Sequence, residues 1–270
     1  MSNELLEALD SGVEVYNLAQ PLSPDTPSSP NHPGFRMALV RRHGDMVRED
    51  GSSAANELIV TGGHVGTHID ALAHVSHDGK LHGGVTADEA QRGGRFSSHG
   101  IDCMAPIVCR GVLLDVAGLH GADVLPGGYG ITEDDLATAA QKAGIEVRAG
   151  DVALIRSGWA RNFGDVESFL GHATGVPGPT EEAARWLAER GVRASGAETI
   201  AYEQIKPELG HRLLPVHRFL LVERGIHIIE VMNLAELAIG AIYEFMFILA
   251  PLKIVGGTGS PVCPLAVLQR

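Results

Sequence analysis

The sequence predicts an α/β fold, a single domain over residues 1–270 with a mixed β-sheet and few helices. Three observations carry this reading. Short apolar runs bounded by turn residues recur at 111–118, 151–159, 225–234 and 244–254. Runs of that length between turn signals read as buried strands. Two segments between them, at 131–144 and 180–191, carry helix start and stop signals. No tandem repeat or linker divides the chain.

Taken in order, GVEVYNLAQ (12–20) alternates apolar and polar residues and predicts a strand. PLSPDTPSSPNHPGF (21–35) holds five prolines in 15 residues, which excludes a helix or a central strand. It reads as a surface loop or as a rigid wall over a site. NELIVTGG (56–63) predicts a short strand running into a histidine cluster. GVLLDVAG (111–118) predicts a buried strand. In ITEDDLATAAQKAG (131–144), Thr132 is an N-cap with Asp135 three residues on, and Gly144 is the stop. DVALIRSGW (151–159) is a second buried strand. Thr180 caps the next helix, with acidic residues in its first turn, Arg190 near its end and Gly191 closing it. GIHIIEVMNL (225–234) and EFMFILAPLKI (244–254) complete the strands.

Composition excludes several function classes. With 21 Lys plus Arg against 33 Asp plus Glu, the net charge is −12, unlike the clustered basic surface that binds nucleic acid. The longest apolar stretch, 235–252, is broken by Glu236, Gly240, Glu244 and Pro251, which argues against a membrane span. Met1 to Asp10 is polar and acidic and shows no secretory signal. Cys103, Cys109 and Cys263 are odd in number and lack CxxC spacing, so a disulfide framework is not expected and a reducing, cytoplasmic setting is. No GxSxG elbow occurs, since Ser157-Gly158-Trp159 lacks the leading glycine. GGTGS (256–260) lacks the lysine of a phosphate loop and reads as a turn between C-terminal strands, within reach of substrate.

Histidine is the unusual residue. Of 13, five fall between 64 and 82: His64, His68, His74, His77 and His82. Within His64-Val65-Gly66-Thr67-His68-Ile69-Asp70, two imidazoles and a carboxylate lie in seven residues. These are ligands that Zn²⁺, Mn²⁺ and Fe²⁺ accept. In an extended segment their even spacing puts all three on one face. The competing reading is of histidines satisfied by their neighbours in core or surface.

The pattern HxGTHxDxxxH, His64 to His74, resembles the signature of the metal-dependent cyclase/amidohydrolase family. That family includes bacterial kynurenine formamidase and isatin hydrolase. Leu72 stands where the usual pattern has proline, a departure that touches loop geometry and no proposed ligand. VYNLAQPLSPDTP, RGVLLDVAG, GDVALIRSGW, GPTEEAARWLAERGV, LLPVHRFLLVERGIHIIEVMNL and APLKIVGGTGSPVCPLAVL resemble family segments in the same order, so the likeness covers most of the chain.

The resemblance implies a mixed, barrel-like sheet with peripheral helices, often described as a swivelling β/β/α unit. It implies metal ligands His64, His68 and Asp70, joined by His217 and Glu230, with Asp70 bridging two divalent ions, Zn²⁺ or Mn²⁺. Glu230 favours two metals over the single metal of isatin hydrolase. Inside an apolar strand an unpaired carboxylate is costly, and either a metal or Arg218 would relieve it. Glu198 is a further candidate ligand. Glu203 is a still weaker one, and His77, His82, His211 and His227 read as surface or supporting histidines. His74 is the catalytic residue expected to move a proton.

The implied activity is metal-dependent amide hydrolysis of a small molecule, arylformamidase-like, turning N-formylkynurenine into kynurenine and formate. The alternative is ring opening of a cyclic amide, imide or lactone. A non-catalytic metal-binding protein is the third reading. The resemblance also implies a homo-oligomer, a dimer or tetramer.

Overall fold

A computed structural model describes residues 4–29 and 31–270. Of the segments read above, Met1 to Asn3 and Pro30 lie outside the described residues.

Helix α1 (Glu4–Asp10) leads into β1 (Val13–Asn17). A hairpin of β2 (Arg36–Arg41) and β3 (Asn56–Val60) follows, then β4 (His68–Asp70) and β5 (Ile107–Asp115). Next come α2 (Glu133–Ala143), β6 (Val152–Arg156), α3 (Glu181–Glu189) and β7 (Ala194–Ala197). The last part holds α4 (Pro215–His217), β8 (His227–Glu230), β9 (Glu244–Leu249), β10 (Gly259–Pro261) and β11 (Leu265–Gln269). Nine strands form one curled half-barrel sheet in the order β1-β11-β9-β5-β6-β7-β8-β4-β10. The run from β5 to β8 is parallel and every other pairing is antiparallel, so the sheet is mixed as expected.

The central strands read as unbroken apolar runs because both of their faces are covered. Val112 and Leu114, Ala153 and Ile155, and Ile228 pack under α2, α3 and the helical segment after Pro215. The intervening Leu113, Val152, Leu154 and Ile229 face a second core with Phe245, Phe247 and Ile69. Helix α2 begins as predicted: the Thr132 hydroxyl accepts from the Asp135 amide, the Asp135 carboxylate accepts from the Thr132 amide, and Gly144 closes the helix at φ 68°.

Four strands stop earlier than predicted: those read at 151–159 and 244–254 end at Arg156 and Leu249, and two others end at sharp turns. At 116–118 the chain turns into a short helix, because the Asp115 side chain accepts from Gly118 N. After Glu230 the ladder ends at Val231, whose φ is +56°. The strand at 56–60 does not run into the histidine cluster. It folds back onto β2, and the chain bends over 63–67 before β4 begins.

Candidate metal centre

Strand β4 is three residues long and wholly buried, between β8 and β10. Ile69 turns into the core, so His68 and Asp70 share the opposite face. Register places Glu230 directly across from His68. Directly opposed residues bring their Cβ atoms within about 5.5 Å, and His68 Nε2 lies 3.3 Å from Glu230 Oε2. The even-spacing argument therefore holds for His68 and Asp70. It does not deliver His64, which precedes the strand across a turn at Gly66, φ +63°. A Cβ at Gly66 would sit 2.4 Å from Leu22 Cδ2, and one at Gly259 would sit 2.6 Å from His64 Cε1. Both glycines are thus needed for His64 to fold back. Its Nδ1 ends 2.8 Å from Asp70 Oδ1. Thr67, between the two imidazoles, is structural: its hydroxyl donates to Val231 O and accepts from Gln20 N.

His217 arrives from α4, which Pro215 opens and which continues as a wider helical turn over Arg218–Arg224. Its Nε2 is 3.0 Å from Glu230 Oε1 and 3.7 Å from Asp70 Oδ2. Arg218 does not serve Glu230; it pairs with Glu181 and Glu223. His74 stacks on His64 with ring centroids 4.0 Å apart.

Each of these three imidazoles has one nitrogen held from outside and the other aimed at a carboxylate. His68 Nδ1 donates to Gly66 O at 2.8 Å. His217 Nδ1 donates to Glu203 Oε1 at 2.7 Å, and His64 Nε2 meets the Thr258 hydroxyl at 3.0 Å. Outer partners of this kind fix the tautomer and orientation of ligating histidines. The GGTGS segment is therefore no simple turn: Thr258 holds His64, and Gly259 pairs with Asp70 in the sheet.

The two carboxylates stay ionised although buried. Burial raises the Asp70 carboxyl, but His74, His64 and His68 together hold it well below its usual range. Burial likewise opposes ionisation of Glu230, and His217 and His68 outweigh it. Burial would neutralise His68, but Glu230 and Asp70 raise it to about 8; His217 is raised too, by Glu203 and Glu230. Asp70 Oδ2 is buried with no hydrogen-bond partner.

Among the described residues two groups of potential ligands converge, each with its ligating atoms within 4.8 Å of one another: His64, Asp70 and His74, and His68, Asp70 and Glu230. They share Asp70. A buried carboxylate with a spare oxygen, two sets of imidazole nitrogens and a second carboxylate is a donor set that fits divalent cations. The grouping differs from the sequence expectation in two respects. The expected ligand His217 is in neither group, although its Nε2 lies beside Glu230 and Asp70. His74 stands at ligating distance, because the chain turns back at Ala71, whose carbonyl accepts from His74 N.

Glu198 is not among the converging groups. Its Oε2 accepts from Ser157 N, Ser157 Oγ and Gly158 N, and burial raises its carboxyl. Glu203, five residues on, is the carboxylate that reaches the centre, through His217 Nδ1 and the amides of Val216 and His217. No spacing in the sequence distinguishes them. His77 is exposed, and His82 Nδ1 donates to Val222 O. His227 is mostly buried, and its Nδ1 donates to Asp70 O.

A cleft of about 300 Å³ opens onto the centre. Val75, Ile200, Ala201 and Leu214 give it an apolar wall, and His32 and His211 line it as well. His32 belongs to the proline-rich segment, so that loop is indeed a wall of the site. A larger groove of about 630 Å³ lies along β5, β9 and β11 and contains no imidazole.

The Cyclase family model, described as "Putative cyclase", matches residues 16–204. Isatin hydrolase from Roseibium aggregatum is 29% identical over 270 residues, covering 97% of this chain and 94% of that protein. The crystal structure of a novel cyclase superposes with a TM-score of 0.85 at 27% identity, over 98% of this chain and 93% of its own. Isatin hydrolase A from Ralstonia solanacearum gives a TM-score of 0.76 at 28% identity, over 98% and 96%. With well over half of its length matched to one family model and 98% of it covered by these structures, the chain belongs to the cyclase family.

Proposed function

We propose that this protein is a metal-dependent hydrolase that cleaves an amide C–N bond of a small molecule, with His64, His68, Asp70, His217 and Glu230 as ligands of two divalent ions. The observation that carries it is Asp70, buried and shared by both groups of potential ligands while one of its oxygens has no hydrogen-bond partner. When bound, divalent metal lowers the pKa of water to roughly 7 and polarises a carbonyl. Zn²⁺ and Mn²⁺ both suit these nitrogen and oxygen donors.

The chain's own groups supply the rest. His74 is kept to about 4 by burial, so it is neutral at pH 7 and ready to accept a proton from the attacking water. The same nitrogen then returns that proton to the departing amide nitrogen. Val75, Ile200, Ala201 and Leu214 offer apolar surface to a substrate's ring. A cleft of about 300 Å³ is at the small end of ligand pockets, which favours a compact, flat substrate.

Similarity to two isatin hydrolases favours ring opening of a cyclic amide as the specific reaction. Cleavage of N-formylkynurenine is the second reading, supported by Glu230, a second carboxylate that stands with His68 and Asp70 in one group of potential ligands. We also infer that the protein works as a homo-oligomer in the cytoplasm. Hydrolysis of isatin, N-formylkynurenine and simple lactones by Zn²⁺- and Mn²⁺-loaded protein tests the reading. Turnover of isatin is expected, preference for the formamide would select the second reading, and inactivity toward all of them in a metal-replete sample would overturn hydrolysis.

A further inference from the structure

A second cavity lies behind the metal centre. It measures about 510 Å³, and its lining includes Gln91, Arg95, Phe96, Gly256, Gly257 and Thr258. Among the described residues none lines both this cavity and the cleft. Thr258 is the wall between them: it faces the cavity, and its hydroxyl meets His64 Nε2 at 3.0 Å.

The cavity is short of negative charge. A small hairpin, Gln91–Arg92 against Arg95–Phe96, sets Arg92 directly opposite Arg95. Like charges so placed repel. Arg92 Nε donates to the carbonyl of Glu89, and neither arginine has a carboxylate partner among the described residues, in a chain with 33 Asp plus Glu. The nearby backbone amides are already used. Phe96 N donates to Gly256 O, Gly257 N to Ile254 O and Gly256 N to Asp102 Oδ1. Side chains are therefore the donors on offer. With His64 Nδ1 turned to Asp70, Nε2 carries the hydrogen and donates to Thr258 Oγ1. The hydroxyl hydrogen of Thr258 then has no acceptor among the described residues.

We propose that this cavity binds a small aromatic carboxylate and that its binding tightens metal at His64. The carboxylate oxygens sit on the Arg95 guanidinium and the Thr258 hydroxyl, and the ring lies against Phe96. An arginine fork matches a carboxylate in shape and charge, and the anion relieves the repulsion between Arg92 and Arg95. By accepting the Thr258 hydrogen, the carboxylate makes the Thr258 oxygen a better acceptor for His64 Nε2–H. A stronger outer bond raises the basicity of a ligating histidine. The coupling rests on His64 as a metal ligand, whereas the cavity and its arginine do not.

Benzoate is the probe. Calorimetry on the full chain, with and without Zn²⁺, should show benzoate binding that weakens by about 10-fold or more in Arg95→Ala. Arg95 is exposed, so that variant should keep the parent's circular dichroism. In competition with a chelator, saturating benzoate should raise Zn²⁺ affinity by about 5-fold or more in the parent and leave it unchanged in Arg95→Ala. By linkage Zn²⁺ should tighten benzoate by the same factor. Thr258→Val should still bind benzoate through Arg95 and lose the coupling. A parent that does not bind benzoate would overturn the proposal. So would an Arg95→Ala that binds and couples as the parent does, which would put benzoate in the cleft. Zn²⁺ binding that ignores benzoate would overturn the coupling and leave the hydrolase reading standing. Absence of Zn²⁺ binding would overturn that reading, and the Arg95 dependence of benzoate binding would still decide the cavity.

Discussion

Among the described residues two imidazole–carboxylate contacts stand at 2.8 Å, and one of them has the makings of a metal centre. At the start of α2, His120 Nε2 meets Asp135 Oδ1. There the Tyr129 hydroxyl and the Thr132 amide and hydroxyl also donate to Asp135, so each carboxylate oxygen has a partner. At β4, His64 Nδ1 meets Asp70 Oδ1 at the same distance, yet Asp70 Oδ2 has no hydrogen bond. One cluster is complete and serves as a helix cap. The other leaves buried acceptor capacity that a cation would fill. Proximity of His to Asp is thus weak evidence, and an unsatisfied buried oxygen adds to it only where imidazoles converge on it: Glu198 Oε1 also has no hydrogen bond, yet Glu198 belongs to neither group of potential ligands.

The contrast can be broken most severely at Asp70. Asp70→Ala should abolish metal binding measured by elemental analysis, whereas Asp135→Ala should leave it unchanged. Full metal occupancy in Asp70→Ala would remove the bridging role. His74→Ala should lower turnover by about 10²–10⁴ with metal retained. Loss of metal in that variant would make His74 a ligand, as its distance to His64 and Asp70 allows.

Glu203 and Glu198 sharpen the comparison further, since they are buried carboxylates on one turn with different duties. Glu203→Gln should weaken metal affinity by about 10–100-fold, the usual cost of losing an outer partner of a ligating histidine. Glu198→Gln should not change affinity in a competition titration with a chelator. Equal effects would show that both act only through the fold.

The two clusters should also respond oppositely to pH. In metal-free protein His68 is raised from 6.5 to about 8, so its contribution is full below pH 6.5 and is lost as pH rises through 8. Thermal melts should show that decline, and metal loading should remove it. Asp135 is lowered: burial opposes this, but hydrogen bonds from Thr132, His120 and Tyr129 prevail. Its contribution is present above its unfolded pKa of 3.8 and is lost as pH falls further. Thr132→Ala, the smallest effect, should cost about 1 kcal/mol in denaturant unfolding.

Much of the fold was legible because local signals and burial agree. Thr132, Asp135 and Gly144 mark α2 by capping chemistry that needs no tertiary partner. The central strands were legible because both faces are buried, which leaves continuous apolar runs. The hairpin at 36–60 misled in part: NELIV is a strand by composition, but nothing local says that its partner is β2 and not the strand of the site. Among the described residues no helix is long and apolar enough to cross a membrane, in line with the broken run at 235–252.

The sequence by itself determined the chemistry on offer: the histidine-rich motif, the even spacing of His68 and Asp70, and a net charge of −12. Only the tertiary structure decided which groups meet. His217 and Glu230 come from a helix and a strand more than 140 residues beyond the motif, and pairing of β8 with β4 sets Glu230 beside His68. Tertiary packing also chose Glu203 over Glu198 for His217 and Thr258 for His64. The physical reason is the range of the forces. Capping and strand alternation act within a few residues, whereas the geometry of a buried charged cluster is set by register and packing between distant segments.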